Sequence, residues 1–262
     1  MARGLALLVG LKSVDPAKYE NGWDGVSGAK GCEHDVDNMV KVVSSAGEYE
    51  IKTLKTQQAT ASAILTEIQS AADTLKSGDM FVFYYSGHGG KKDDANSDEA
   101  DGKDETLVAY NREIIDDELA ECWKGFAAGV RIVMLSDSCH SGTNQSFIGM
   151  SAIQEATPKR TIQEARKPIN FASGILPEMK AQLIHFGACR DDQDSDGGLL
   201  GSVFTLVLVE VWNEKKGAFS GYEQLHEAIK ARLKKYKYPQ EPQFNKYVDV
   251  QPDFLDSRPF SL

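Results

Sequence analysis

Three apolar runs constrain this chain most: LALLV at residues 5–9, MFVFYY at 80–85 and VRIVML at 130–135, the last interrupted only by Arg131. Apolar runs of this length without alternation suit strands buried on both faces, as in a parallel sheet covered by helices. Between them the period changes. Val36, Met39, Val40 and Val43 recur at helical spacing, and so do Ile64, Leu65, Ile68, Ala71, Ala72 and Leu75. Thr60 or Ser62 offers an N-cap for the second helix. Residues 50–54 read as a weaker strand, 183–186 as a strand, and 116–123, 203–212 and 222–233 as helices. Strands alternating with helices imply a mostly parallel central sheet with helices on both faces, a three-layer α/β sandwich.

With 262 residues the chain can bury a full core. Its formal charge of -10 argues against a nucleic-acid binder, which would carry a basic face. Cys32, Cys122, Cys139 and Cys189 are scattered with no C-x-x-C pair, so reduced thiols are expected. The opening MARGLALLVG reads as the first core strand rather than a signal peptide, and no apolar stretch approaches the ~20 residues that span a bilayer. The expectation is a cytoplasmic protein without membrane contact.

In open α/β sheets, ligands bind beyond the carboxyl ends of the strands. The run at 80–85 leads into Ser86-Gly87-His88-Gly89-Gly90, and the run at 130–135 into Asp137-Ser138-Cys139-His140. If the two strands are neighbours, a thiol and an imidazole meet at one edge. A free thiol has a pKa of about 8.5 and is largely protonated at neutral pH. A nearby histidine can take its proton and return it to a leaving amine. Glycines around His88 would let backbone approach a substrate and offer N–H groups to an oxyanion. Taken singly, a GHG triplet and a buried cysteine are commonplace; their pairing at two strand ends is not.

These residues carry a family resemblance. YYSGHGG followed by DSCHSG resembles the caspase-fold cysteine peptidases, in particular the metacaspase-like branch. Gly31-Cys32-Glu33-His34-Asp35, Asp101-Gly102-Lys103-Asp104-Glu105, Asp116-Asp117-Glu118-Leu119 and Gly187-Ala188-Cys189-Arg190-Asp191-Asp192-Gln193 match further family segments in order. The resemblance implies a caspase-like fold in which His88 is the general base and Cys139 the nucleophile, with His140 a bystander. It also implies an oxyanion hole made by the N–H groups of Gly89 and Cys139.

Asp137 lies two positions before Cys139, on the same side of an extended chain. Asp35 follows the first strand by a loop and a helix start. By resemblance these acids line a pocket for a basic side chain before the scissile bond, with Cys32 and Ser86 walling it. Arg would pair there through bidentate bonds and Lys as a point charge. The plainer readings are a helix-capping Asp35 and a solvated Asp137.

No cofactor is required by this chemistry. The resemblance raises Ca²⁺ at Asp104, Asp116 and Asp117, but the acid that the family carries shortly after the catalytic motif is missing from residues 143–146. A solvated acidic loop ranks above it. Asp192-x-Asp194-x-Asp196-Gly197 resembles the start of an EF-hand, yet its twelfth position is Val203 rather than Glu. Residues 143–181 are aperiodic and carry Lys159-Arg160 and Arg166-Lys167, candidate self-cleavage sites.

The expected organisation is one peptidase domain: about 1–145 with the dyad, about 146–181 a variable linker, and about 182–262 a smaller part. The expected activity is endopeptidase cleavage after Arg or Lys in protein or peptide substrates, by a monomer. The alternative is a catalytically silent module that binds basic peptides.

Overall fold

The computed structural model describes residues 2–93, 103–139, 178–188, 201–238, 240–247 and 249–262, with 91–93, 103, 104 and 139 described by backbone alone. The elements are β1 Gly4–Gly10, α1 Cys32–Ala46, β2 Tyr49–Lys55, α2 Ala61–Thr74, β3 Met80–Asp93, β4 Lys103–Val108, β5 Glu113–Ile115, α3 Asp116–Lys124, β6 Arg131–Cys139, β7 Gln182–Gly187, α4 Val203–Lys215, α5 Tyr222–Lys235, β8 Gln243–Tyr247 and α6 Pro252–Leu255.

The main sheet runs β2-β1-β3-β6-β7-β8, parallel except for β8. Alternation along the strands feeds two cores. Phe81, Phe83 and Tyr85 of β3 join Ile132 and Met134 of β6 under α2 and α3. Val82 and Tyr84 join Val133 and Leu135 under α1, α4 and α5. This is the expected α/β sandwich. Thr60 proves to be the α2 cap, its side chain accepting from the N–H of Ala63 at 3.2 Å.

β3 and β6 are longer than their apolar runs. β3 pairs with β6 from Met80↔Arg131 to His88↔Cys139, then turns to pair antiparallel with β4 from Gly89↔Leu107 to Asp93↔Lys103. Glycine-rich sequence is a poor strand former, so pattern hides this extension. The β4–β5 pair and β8 are likewise absent from the periodicity reading. His140, the bases at 159–160 and 166–167, and the block from Cys189 to Gly197 lie outside the described residues.

Candidate active site

The register places His88 directly opposite Cys139 on adjacent parallel strands, whose backbones lie about 4.8 Å apart. Imidazole and thiol thus belong to neighbouring residues at the carboxyl edge of the sheet. His88 is only 9% exposed. Its Nε2 lies 2.9 Å from the carbonyl oxygen of Gly25. A carbonyl only accepts, so in the neutral ring Nε2 carries the proton and donates it, and Nδ1 is the basic nitrogen. Trp23 meets the same ring edge-on, centroids 5.1 Å apart. The loop between β1 and α1 therefore fixes both the plane and the tautomer of the imidazole.

Below the imidazole, the Tyr85 hydroxyl sits 2.7 Å from the carbonyl of His88 and 2.8 Å from that of Val108, and its proton serves both acceptors. The phenol lies so close to Gly87 that a Cβ there would come within 2.5 Å of the hydroxyl oxygen. A Cβ on Gly90 would come within 2.9 Å of Thr106 Oγ1 and of a Glu113 carboxylate oxygen. Two of the motif's glycines are thus required by internal packing. Gly89 lies where β3 leaves β6 for β4.

Two buried carboxylates stand beside this edge. Asp35, in the first turn of α1, is fully buried. It accepts from Ser86 Oγ at 2.8 Å, and from the N–H of Ser202 at 2.9 and 3.0 Å through its two oxygens. Asp35 is therefore not merely a helix cap. Asp137 is 1% exposed, so the solvated reading fails for it as well. Its Oδ2 accepts from the hydroxyls of Ser202 and Thr205, the latter at 2.6 Å. Its Oδ1 is buried and meets no hydrogen-bond donor among the described residues.

Tyr84 ties the two acids together. Burial, followed by the negative fields of Asp35 and Asp137 and by Cys32, holds its phenol well above the usual range. Cys32, in the first turn of α1, is 3% exposed. Asp35, Asp137, Ser86 and Cys32 thus occupy one buried neighbourhood, and Ser202, Thr205 and Tyr84 join them. Sequence reading misses Trp23, Gly25, Tyr84, Tyr85, Ser202 and Thr205. Only Ser202 carried a signal, as a serine immediately before an apolar helical run.

Among the described residues no three His, Cys, Asp or Glu side chains gather to hold an ion. Asp116 is buried at the start of α3 and accepts from the N–H of Asp117 at 3.1 Å. Asp104 lies opposite Lys92 in the β3–β4 ladder, and its side chain lies outside the description.

Residues 3–249 match the family model of the caspase domain. A metacaspase-1 of Arabidopsis thaliana is 44% identical over 124 residues, which cover 45% of this chain and 32% of that protein. A metacaspase-1 of Schizosaccharomyces pombe is 38% identical over 128 residues, 43% of this chain and 30% of that protein. The chain thus spans about a third of the length of these curated relatives. A crystal structure of a Geobacter sulfurreducens protein is 33% identical, with a TM-score of 0.75 over 99% of both chains. No helix among the described residues is long and apolar enough to cross a membrane. The chain belongs to the caspase-domain family of cysteine peptidases, on the side of the metacaspases.

Proposed function

We propose that this chain is an endopeptidase that cleaves after Arg or Lys, with Cys139 as nucleophile and His88 as general base. The register pairing His88 with Cys139 carries the reading. His88 Nδ1 takes the thiol proton while Nε2–H stays on the Gly25 carbonyl. The thiolate attacks the peptide carbonyl, and the N–H groups of Gly89 and Cys139 stabilise the oxyanion. The imidazolium returns its proton to the leaving amine. Water, activated by the same nitrogen, then hydrolyses the acyl-enzyme.

The preference for a basic side chain rests on Asp35 and Asp137. Burying carboxylates is costly unless charge or hydrogen bonds compensate. Among the described residues Asp137 meets hydroxyls but no Lys or Arg. An Arg or Lys side chain entering beside it supplies the missing cation, and an acidic side chain is repelled.

Fluorogenic peptides ending in Arg, Lys or Asp, assayed with and without Ca²⁺ against Cys139→Ala, test this. Cys139-dependent turnover of the Arg and Lys peptides is expected. Preference for Asp would overturn the pocket assignment, and no Cys139-dependent turnover of any peptide would leave a silent binding module. A requirement for Ca²⁺ would bring Asp104, Asp116 and Asp117 back as ligands.

A further inference from the structure

The two acids proposed to face a basic side chain come from α1 and β6, and besides Ser86, which donates to Asp35, one short segment far along the chain donates to both. Ser202 caps α4, its Oγ accepting from the N–H of Thr205 at 3.2 Å. The same hydroxyl donates to Asp137 Oδ2, and the same residue's N–H donates to both oxygens of Asp35. Thr205 Oγ1 donates to Asp137 Oδ2 at 2.6 Å. A carboxylate accepts only, so Thr205 spends its single proton there. Tyr84, whose hydroxyl lies 2.6 Å from Thr205 Oγ1, must then be the donor to it. The result is a directed chain from Tyr84 to Thr205 to Asp137.

Two details show that this segment is fitted to the acids. Gly201 has φ +126, and a Cβ on it would come within 2.3 Å of Asp35 Oδ1. Any side chain there would push Ser202 away from Asp35. Both hydroxyls also converge on one oxygen of Asp137, which leaves Oδ1 buried without a donor among the described residues. One oxygen is locked and the other is left for an incoming cation.

We propose that Ser202 and Thr205, backed by Tyr84, are positioning residues for recognition of the basic side chain: they lock Oδ2 of Asp137 so that Oδ1 is presented to the substrate. The inference rests on the basic-residue reading of the pocket. The hydroxyls and the α4 N-terminus stabilise the two carboxylates through these hydrogen bonds. Specificity is therefore completed by residues beyond the segment that carries His88 and Cys139.

The test compares Thr205→Val, Thr205→Ser and Tyr84→Phe with wild type on Arg and Lys peptides, alongside the rate at which iodoacetamide alkylates Cys139. Losing a hydrogen bond to a charged group lowers kcat/KM by about tenfold or more in Thr205→Val, through KM rather than kcat. Thr205→Ser is expected to restore KM to near the wild-type value. Tyr84→Phe raises KM a few-fold and carries the test if Thr205→Val does not fold. Alkylation, which needs no pocket, stays at the wild-type rate throughout. If wild type cleaves basic peptides while Thr205→Val keeps its KM within twofold, the positioning role is overturned and the basic preference stands. If Thr205→Ser is no better than Thr205→Val, or alkylation slows in step with cleavage, Thr205 is merely structural. If wild type cleaves no basic peptide, the reading of the pocket fails and takes this inference with it.

Discussion

Two buried histidines flank β6. His88 lies opposite Cys139, and His185, on β7, lies opposite Met134, about 16 Å back along the strand. Both engage Nε2, His88 with the Gly25 carbonyl and His185 with Ser136 Oγ at 2.7 Å. His185 has no exposed surface, stacks on Tyr247 and has its pKa pushed down to about 3 by burial. It stays neutral at any ordinary working pH and serves as a polar core residue. His88 occupies the sheet edge, held by a loop rather than enclosed between strands. The same side chain is packed into the core or set at the carboxyl edge of the sheet according to where along the strand axis the fold places it.

The largest effect expected to separate the two is catalytic. His88→Ala should lower kcat/KM by about 10³-fold, within the usual range for loss of a general base, and leave the fold intact. His185→Leu should leave kcat/KM within a few-fold. Retained activity in His88→Ala, or a folded but inactive His185→Leu, would break the comparison. Next in size is Asp137→Asn, which removes the carboxylate proposed to pair with the substrate's cation and should cost about 10²-fold in kcat/KM on basic peptides. Because Asp137 does not hold the imidazole, alkylation of Cys139 should still depend on His88 in that variant.

Smaller effects fall on stability. His185→Leu strands the buried Ser136 hydroxyl and should cost about 1–3 kcal/mol in urea unfolding. The pH dependence has a definite sign. His185 titrates near 3 when folded against an ordinary value of 6.5, so the unfolded chain binds the extra proton between those values. Its contribution is fully present above about pH 6.5 and is lost as pH falls toward 3, at up to about 1.4 kcal/mol per pH unit. Wild type should therefore lose stability more steeply than His185→Leu between pH 6.5 and 4. Parallel slopes would mean that His185 opens to solvent in the folded state.

How much of this was legible follows from what each feature is made of. The parallel sheet could be read because LALLV, MFVFYY and VRIVML carry burial in their own letters. The meeting of His88 with Cys139 could be read because both follow such runs. The extension of β3 through Gly87 and Gly90 could not, since its ladder is sustained by partners on β6 and β4 and by the Tyr85 hydroxyl. Trp23 and Gly25 lie in an irregular loop, and Gly25 acts through a carbonyl that every residue possesses. Ser202 and Thr205 look like any helix start; only the folded chain shows that their protons go to acids contributed by α1 and β6. Local pattern predicts elements, whereas the hydrogen bonds from Ser202 and Thr205 to Asp35 and Asp137 join residues far apart in the chain.

The central claim is that Cys139, activated by His88, reacts beside a pocket for a basic side chain. A peptidyl-Arg chloromethyl ketone followed by peptide mapping tests it most directly. A single adduct on Cys139 is predicted, formed much faster than with the matching Asp reagent and slowed sharply in His88→Ala. Labelling of Cys32 or Cys122 instead, equal rates for the Arg and Asp reagents, or an undiminished rate in His88→Ala would contradict it.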